Sequence, residues 1–375
     1  MAKAQSARNG LVAALFVASG ATALVYEVVW SRLLTTSVFG STSQAISTVL
    51  AAFMAGLALG AYLLAPRADG MARPLRLYAV LEAGIGAYAL LFPLLVKAVL
   101  WVYLLFATGR DPNAFLGALR FALSFSVLLA PSTMMGATLP ALVRHAARSS
   151  SSVGRQTGVF YAANTAGAVA GTLLAAFVLI GALGVTATLV LTGVVNFVIA
   201  GIAWRLGSDP VASEAAAEVE VAETDEGTPR LYRVAAGAFA VSGFCALAYE
   251  VLWTRILVFF LGSTTYAFAT MLAAFLTGIA AGSAFASRWV ERARRPAALL
   301  GAAQVAIGIS AAVLLPLFSE IYTVVRTIGV GGRVTVFLVC VLFMLLPTFL
   351  MGASFPLTAR ITAGRTGRVA ATLGG

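Results

Sequence analysis

Ten runs of predominantly apolar residues, each roughly 20 residues or longer, follow one another along the chain. An α-helix needs about 20 such residues to cross the hydrocarbon core of a bilayer, so each run predicts one membrane-spanning helix. Helices satisfy their backbone hydrogen bonds internally, which a segment surrounded by lipid requires. The runs fall near residues 11–38, 43–65, 76–99, 117–142, 157–181, 184–204, 232–260, 264–286, 297–318 and 333–358.

The composition supports the lipid bilayer as the expected partner of this chain. Hydrophobic residues make up 61% and charged residues 10% of the sequence, whereas soluble domains usually carry about 25% charged residues. The net charge of +11 is distributed over short loops between the apolar runs. Because these charges do not form one basic patch, we do not expect nucleic acid as a partner.

The loop charges predict an orientation in the membrane. Eighteen of the 25 lysines and arginines fall in one set of alternate loops and ends, and seven fall in the other. The positive-inside rule then places the N-terminus and the acidic stretch 205–230 in the cytoplasm. We therefore expect a multi-pass protein of the bacterial inner (plasma) membrane.

A sixteen-residue pattern occurs twice, 223 residues apart. Residues 19–34 read SGATALVYEVVWSRLL and residues 242–257 read SGFCALAYEVLWTRIL, with ten identical positions. Further matches follow both copies in the same order, among them a GxxxG pair and the motif PxxxMGAxxP. The first copy holds six spans, an even number, so both copies begin on the same side of the membrane. Such a parallel repeat is related by an axis along the membrane normal.

The predicted fold is an all-α polytopic membrane protein with a major-facilitator-like parallel repeat of six-helix bundles. Residues 1–204 form the first six-span bundle, 205–230 a cytoplasmic acidic linker, and 231–375 the first four spans of an incomplete second bundle. By internal symmetry, two further spans are expected after Gly375. A natural protein of ten spans is the alternative.

Both copies of the pattern place a glutamate and an arginine within apolar sequence, where a charged side chain costs about 2.5–3.5 kcal/mol on insertion scales. Glu27 and Arg32 are five residues apart, about 140° around a helix, and are poorly placed to pair with each other. We hypothesise crossed pairs, Glu27 with Arg255 and Glu250 with Arg32. Interfacial anchoring and a direct role with a solute or proton stay open. The residues concerned are Tyr26, Glu27, Trp30, Arg32, Tyr249, Glu250, Trp253 and Arg255.

Three further polar residues are candidates for solute binding. Glu82 is a lone carboxylate in the third span, and its repeat mate is the neutral Gln304. A carboxylate without a symmetric counterpart suits a cation or proton site, and a hydrogen bond to a neighbouring helix is an equal alternative. Asn164, at the start of the fifth span, could line a cavity or cap a helix. The sequence predicts no metal site and no cofactor.

Several motifs together resemble a known family. YExxW(S/T)R, then GST and AAFxxGxxxG, occur in both copies, and PxxxMGAxxP followed by GRxxGxxYAANTxGAxxG runs from Pro131 to Gly171. These motifs resemble the membrane part of the fused major-facilitator/spermidine-synthase-like proteins of bacteria, over essentially the whole chain. Such proteins often carry a C-terminal aminopropyltransferase-like domain that uses decarboxylated S-adenosylmethionine and makes polyamines. The resemblance therefore implies a membrane module associated with polyamine chemistry.

The sequence leaves enzyme activity open and allows three functions. It contains no P-loop, HExxH motif, nucleophile elbow or metal-spaced Cys/His cluster, so no catalytic residue is assigned. The first function is transport of a small solute such as a polyamine or a related cation. The second is membrane anchoring of a spermidine synthase domain beyond Gly375, and the third is a structural scaffold without transport.

Overall fold

The computed structural model describes residues 2–40, 42–68, 73–111, 113–147, 153–207, 229–262, 264–328 and 333–363. All regular secondary structure within these ranges is helical. The ten α-helices are α1 Ala2–Leu34, α2 Thr42–Ala68, α3 Pro74–Ala107, α4 Ala114–Ala147, α5 Val153–Leu174, α6 Ile180–Leu206, α7 Pro229–Leu261, α8 Thr264–Ser287, α9 Pro296–Ile328 and α10 Arg333–Ala363.

The described residues contain nine helical segments that are long and apolar enough to cross a membrane. One of them, Tyr161–Leu206, has 46 residues, about 69 Å of helix, whereas the hydrocarbon core is about 30 Å thick. Gly184 interrupts this segment with φ 77° and ψ 174°, a conformation that is essentially restricted to glycine. The segment therefore comprises two spans, α5 with its π-helical extension and α6, which confirms the predicted all-helical fold with about ten spans.

The helices form two compact units, one of α1 to α6 and one of α7 to α10. In the first unit, α1 packs against α5, α2 against α4, and α3 against both α4 and α6. In the second, α10 packs against α7, α8 and α9. Most of the predicted linker 205–230, namely 208–228, lies outside the described residues, so the domain bounds stay a prediction.

Paired glycines lie where two helix backbones approach each other most closely. A Cβ atom at Gly60 in α2 would overlap the carbonyl oxygen of Thr133 in α4. A Cβ at Gly282 in α8 would overlap that of Phe349 in α10, and Gly171 in α5 has the same relation to the backbone of α1. The α2–α4 and α8–α10 pairs correspond in the two repeats, so the GxxxG motifs serve helix packing in both copies.

The first span of each repeat ends at a glycine in the left-handed region. Gly40 has φ 62° and Gly262 has φ 64°, a backbone conformation that glycine adopts without steric cost. A π-helical turn, Thr35–Phe39, precedes Gly40, and the Gly40 N–H donates to the Thr35 carbonyl oxygen at 3.0 Å. The glycine of the repeated GST sequence therefore ends the first span of both units.

Candidate functional site

A fully buried carboxylate, Glu82, lies within α3 of the first unit and is 0% exposed. The Ser19 hydroxyl of α1 donates to its Oε1 atom at 2.5 Å, and the Asn196 amide of α6 donates to its Oε2 atom at 2.6 Å. The Tyr26 hydroxyl of α1 in turn donates to Oδ1 of Asn196 at 2.9 Å. Four residues on three helices therefore form one connected hydrogen-bond network.

Tyr78 places a further hydroxyl beside the Glu82 carboxylate. It precedes Glu82 by one helical turn on α3, is 0% exposed, and its hydroxyl donates to the Leu15 carbonyl oxygen of α1 at 3.4 Å. An ionised carboxylate only accepts hydrogen bonds, and Ser19 and Asn196 both act as donors to it. Hydrogen bonds to a charged group contribute about 1.5–3 kcal/mol each, so this cluster can hold a negative charge inside the bundle.

The helix pattern of α1 explains why it supplies two members of the Glu82 network, defined as Ser19, Tyr26, Tyr78, Glu82 and Asn196. Ser19 and Tyr26 are seven residues apart, so they lie about 20° apart on one face of the helix. That face is directed at α6 and α3, which pack against each other. Packing of three long apolar helices therefore brings together polar residues that are far apart in sequence.

The repeated motif has the same local geometry in both units. The rings of Tyr26 and Trp30 stack with centroids 5.3 Å apart, and those of Tyr249 and Trp253 stack at 5.4 Å. Trp30 also stacks on Phe92 of α3 at 4.9 Å. Trp30 is 0% and Trp253 is 3% exposed. Both tryptophans therefore pack within their own bundle, which argues against an anchoring role at the lipid interface.

The charged residues of the motif differ in exposure. Glu27 and Glu250 are each 1% exposed, whereas Arg32 and Arg255 are exposed. Within the described residues, neither carboxylate oxygen of Glu27 has a hydrogen-bond partner. The crossed Glu27–Arg255 and Glu250–Arg32 pairs would join two units that are described separately, so they stay a prediction.

The other two candidate residues lie in different surroundings from Glu82. Gln304 belongs to α9 of the second unit, and its Nε2 atom donates to the Ser354 hydroxyl of α10 at 3.3 Å. Asn164 lies in α5 against Gly20 of α1, where a Cβ atom would overlap the Asn164 backbone carbonyl and its Oδ1 atom. The structure therefore groups Glu82 with Ser19, Tyr26, Tyr78 and Asn196, and places Asn164 at a helix-packing contact.

Sequence reasoning missed three members of the Glu82 network, although each carried a signal. Ser19 opens the repeated motif, and Tyr78 precedes Glu82 by one helical turn. Asn196 is the one amide side chain in the apolar run 184–204, and an amide at that depth needs a partner. Over the part of the chain that the structure describes, no three His, Cys, Asp or Glu side chains lie close enough to hold a metal ion.

A solved structure shares this fold. The chain is similar to a bacterial homologue of the human lysosomal transporter Spinster, whose crystal structure is inward-facing and unoccupied. The TM-score is 0.57 at 15% sequence identity, over 98% of this chain and 78% of that chain. A scan against protein-family models found no match. A search of curated proteins found none either. The likeness shows a major-facilitator fold.

Proposed function

We propose that the chain is a transporter-like protein of the bacterial inner membrane that moves a small cationic solute, such as a polyamine. Its fold is similar to that of a bacterial transporter homologue, and the resemblance of its motifs to synthase-fused membrane proteins suggests the solute class. The N-terminus lies in the cytoplasm in this proposal, because the lysines and arginines are concentrated in the loops on that side.

The observation that carries this proposal is the burial of Glu82 within a membrane-spanning helix. The side chain is 0% exposed and is held by hydroxyl and amide donors from α1 and α6. Ionisable residues within membrane spans are costly and generally mark solute, ion or proton pathways. A negative charge held inside the first bundle lowers the electrostatic barrier for a cation. Gln304 and Asn164 stay candidate solute contacts.

Uptake into proteoliposomes tests the role of Glu82. We expect Glu82→Gln to lower the initial rate of radiolabelled spermidine uptake at least tenfold, because glutamine keeps the side-chain volume but removes the charge. Asp111→Asn is the matched control, since Asp111 is an exposed carboxylate between α3 and α4, and its rate should equal that of the wild type. Unchanged uptake by Glu82→Gln would remove the cation role of this residue.

A second candidate function is the membrane module of a spermidine-synthase-like protein. The motif block from Pro131 to Gly171 and its counterparts in the second repeat favour it. Sequencing the gene past the codon for Gly375 separates the candidates. A synthase domain there would support the anchor, and two spans followed by a stop would support the transporter. A purely structural scaffold would show no uptake of any amine above that of protein-free liposomes.

A further inference from the structure

Both oxygens of the Glu82 carboxylate are already engaged within the protein. Ser19 donates to Oε1 and Asn196 donates to Oε2. An incoming ammonium group would have to compete with these charge-assisted bonds. Glu82 therefore ties three helices together, and a buried polar group without a protein partner is the stronger candidate for direct contact with a solute.

Glu27 and Trp30 have the opposite property. Glu27 is 1% and Trp30 0% exposed, and among the described residues neither oxygen of Glu27 nor the indole nitrogen Nε1 of Trp30 has a hydrogen-bond partner. Buried polar groups are satisfied in most proteins, and exceptions call for a functional explanation. Here one carboxyl group and one N–H donor are both unsatisfied on the same helix.

The two residues are near neighbours on α1, and the Trp30 ring is fixed in place by stacking. Glu27 and Trp30 are three residues apart on α1. Their Cα atoms are therefore separated by about 60° around the helix and about 4.5 Å along it. The Trp30 ring is held between Tyr26, at 5.3 Å, and Phe92, at 4.9 Å. The indole N–H is therefore a preorganised donor, next to a carboxylate on a longer, more adaptable side chain.

From this pair we infer that Glu27 and Trp30 form the solute-binding site, for an amine that also carries an oxygen acceptor. The ammonium group of the solute binds the Glu27 carboxylate, and its hydroxyl or carbonyl oxygen accepts a hydrogen bond from Trp30 Nε1. Amines with ordinary basicity are protonated at neutral pH, so a plain polyamine presents donors and leaves the indole N–H unsatisfied. An amino alcohol satisfies both groups. The inference rests on the proposed function and narrows its solute class.

Two probes of equal chain length test this inference on the full chain purified in detergent. 4-Amino-1-butanol and putrescine differ in one terminal group, a hydroxyl in place of an ammonium. By calorimetric titration, we expect the wild type to bind the amino alcohol at least fivefold more tightly. Trp30→Phe should abolish this preference while keeping the stacked ring, and Glu27→Gln should weaken binding of both probes at least tenfold.

A tryptophan outside the proposed site provides the matched control. Trp101→Phe removes the N–H of a tryptophan that is 64% exposed and should leave both affinities unchanged. A preference that persists in Trp30→Phe, or wild-type affinity in Glu27→Gln, would overturn the inference. If the wild type binds putrescine as tightly as the amino alcohol, the inference fails and the proposed function stands. If it binds neither probe, both fail.

Discussion

A carboxylate that is enclosed among helices depends on donors within the protein, and Glu82 obtains them from residues 63 and 114 positions away in sequence. Glu82 itself was predictable, because it is a lone carboxylate in an apolar run. Its partners were not, because hydropathy does not tell which faces of α1, α3 and α6 meet. The sequence could therefore identify the charged residue of the cluster but not the cluster.

Tyr26→Phe tests the network at the scale of one hydroxyl. The substitution removes the hydrogen bond from Tyr26 to Oδ1 of Asn196 and keeps the ring stacked on Trp30. We expect the free energy of unfolding to fall by about 0.5–1.5 kcal/mol, measured by denaturant unfolding in detergent micelles. Tyr249→Phe, at the matching position of the second repeat, is the control and should have a smaller effect.

Equal stabilities of the two phenylalanine variants would contradict the proposed asymmetry between the repeats. The asymmetry rests on Glu82 in α3, because its repeat mate Gln304 is neutral and bonds Ser354. At this position the first unit has a buried carboxylate and the second unit has a neutral amide.

At the scale of helices, segment length and periodicity predicted all ten spans, whereas the helix ends differ. α3 extends over Pro74–Ala107 and α9 over Pro296–Ile328, beyond the predicted runs 76–99 and 297–318. Residues 100–107 are themselves apolar, so hydropathy alone does not fix where α3 ends. Helix contacts were predictable where GxxxG pairs mark them, since small residues permit close backbone approach.

Gly60→Ala tests the contact between α2 and α4. Its Cβ would overlap the Thr133 carbonyl oxygen, so the helices must separate, which costs about 1–3 kcal/mol of stability by the usual effect of overpacking. The thermal transition of the purified protein should fall accordingly. Gly117→Ala in α4 has no atoms within 4 Å of its Cβ and should be neutral or stabilising. A Gly60→Ala protein as stable as the Gly117→Ala protein would exclude a tight α2–α4 contact.

Gly184→Ala tests the break between the fifth and sixth spans. At φ 77° an alanine is strained, and we expect a loss of about 1–3 kcal/mol in unfolding free energy. Gly181→Ala, three residues earlier and with open space around its Cβ, is the matched control and should not be destabilising. If both variants have the same thermal unfolding temperature, the segment Tyr161–Leu206 does not turn at Gly184.

For the whole molecule, the internal repeat is the strongest predictor, because an even number of spans in the first copy requires a parallel arrangement. The fold of the described residues and its likeness to a transporter homologue confirm the all-helical major-facilitator-like class. The sequence could not predict the solute, since recognition depends on a few side chains whose neighbours are set by packing. We propose that the first bundle carries the solute chemistry, because Glu82 has no carboxylate counterpart in the second repeat.

Cysteine accessibility tests the predicted orientation. In a protein without Cys245 and Cys340, Thr108→Cys should react with a membrane-impermeant maleimide in intact cells, because the loop after α3 lies outside. Arg73→Cys, in the loop before α3, should react only after the membrane is permeabilised. Both native residues are exposed, so burial does not explain a difference. The reverse pattern would place the N-terminus outside.

We propose that the chain moves a small amine cation across the membrane. A measurement of charge movement tests this proposal directly. Proteoliposomes on a solid-supported membrane are given a jump in 4-amino-1-butanol concentration, and the transient current is recorded. We expect a current that saturates with amine concentration and that is at least tenfold smaller in Glu82→Gln and in Glu27→Gln. The proposed transport of amines would be contradicted if the wild-type current is no larger than that of protein-free liposomes, both for this amine and for putrescine.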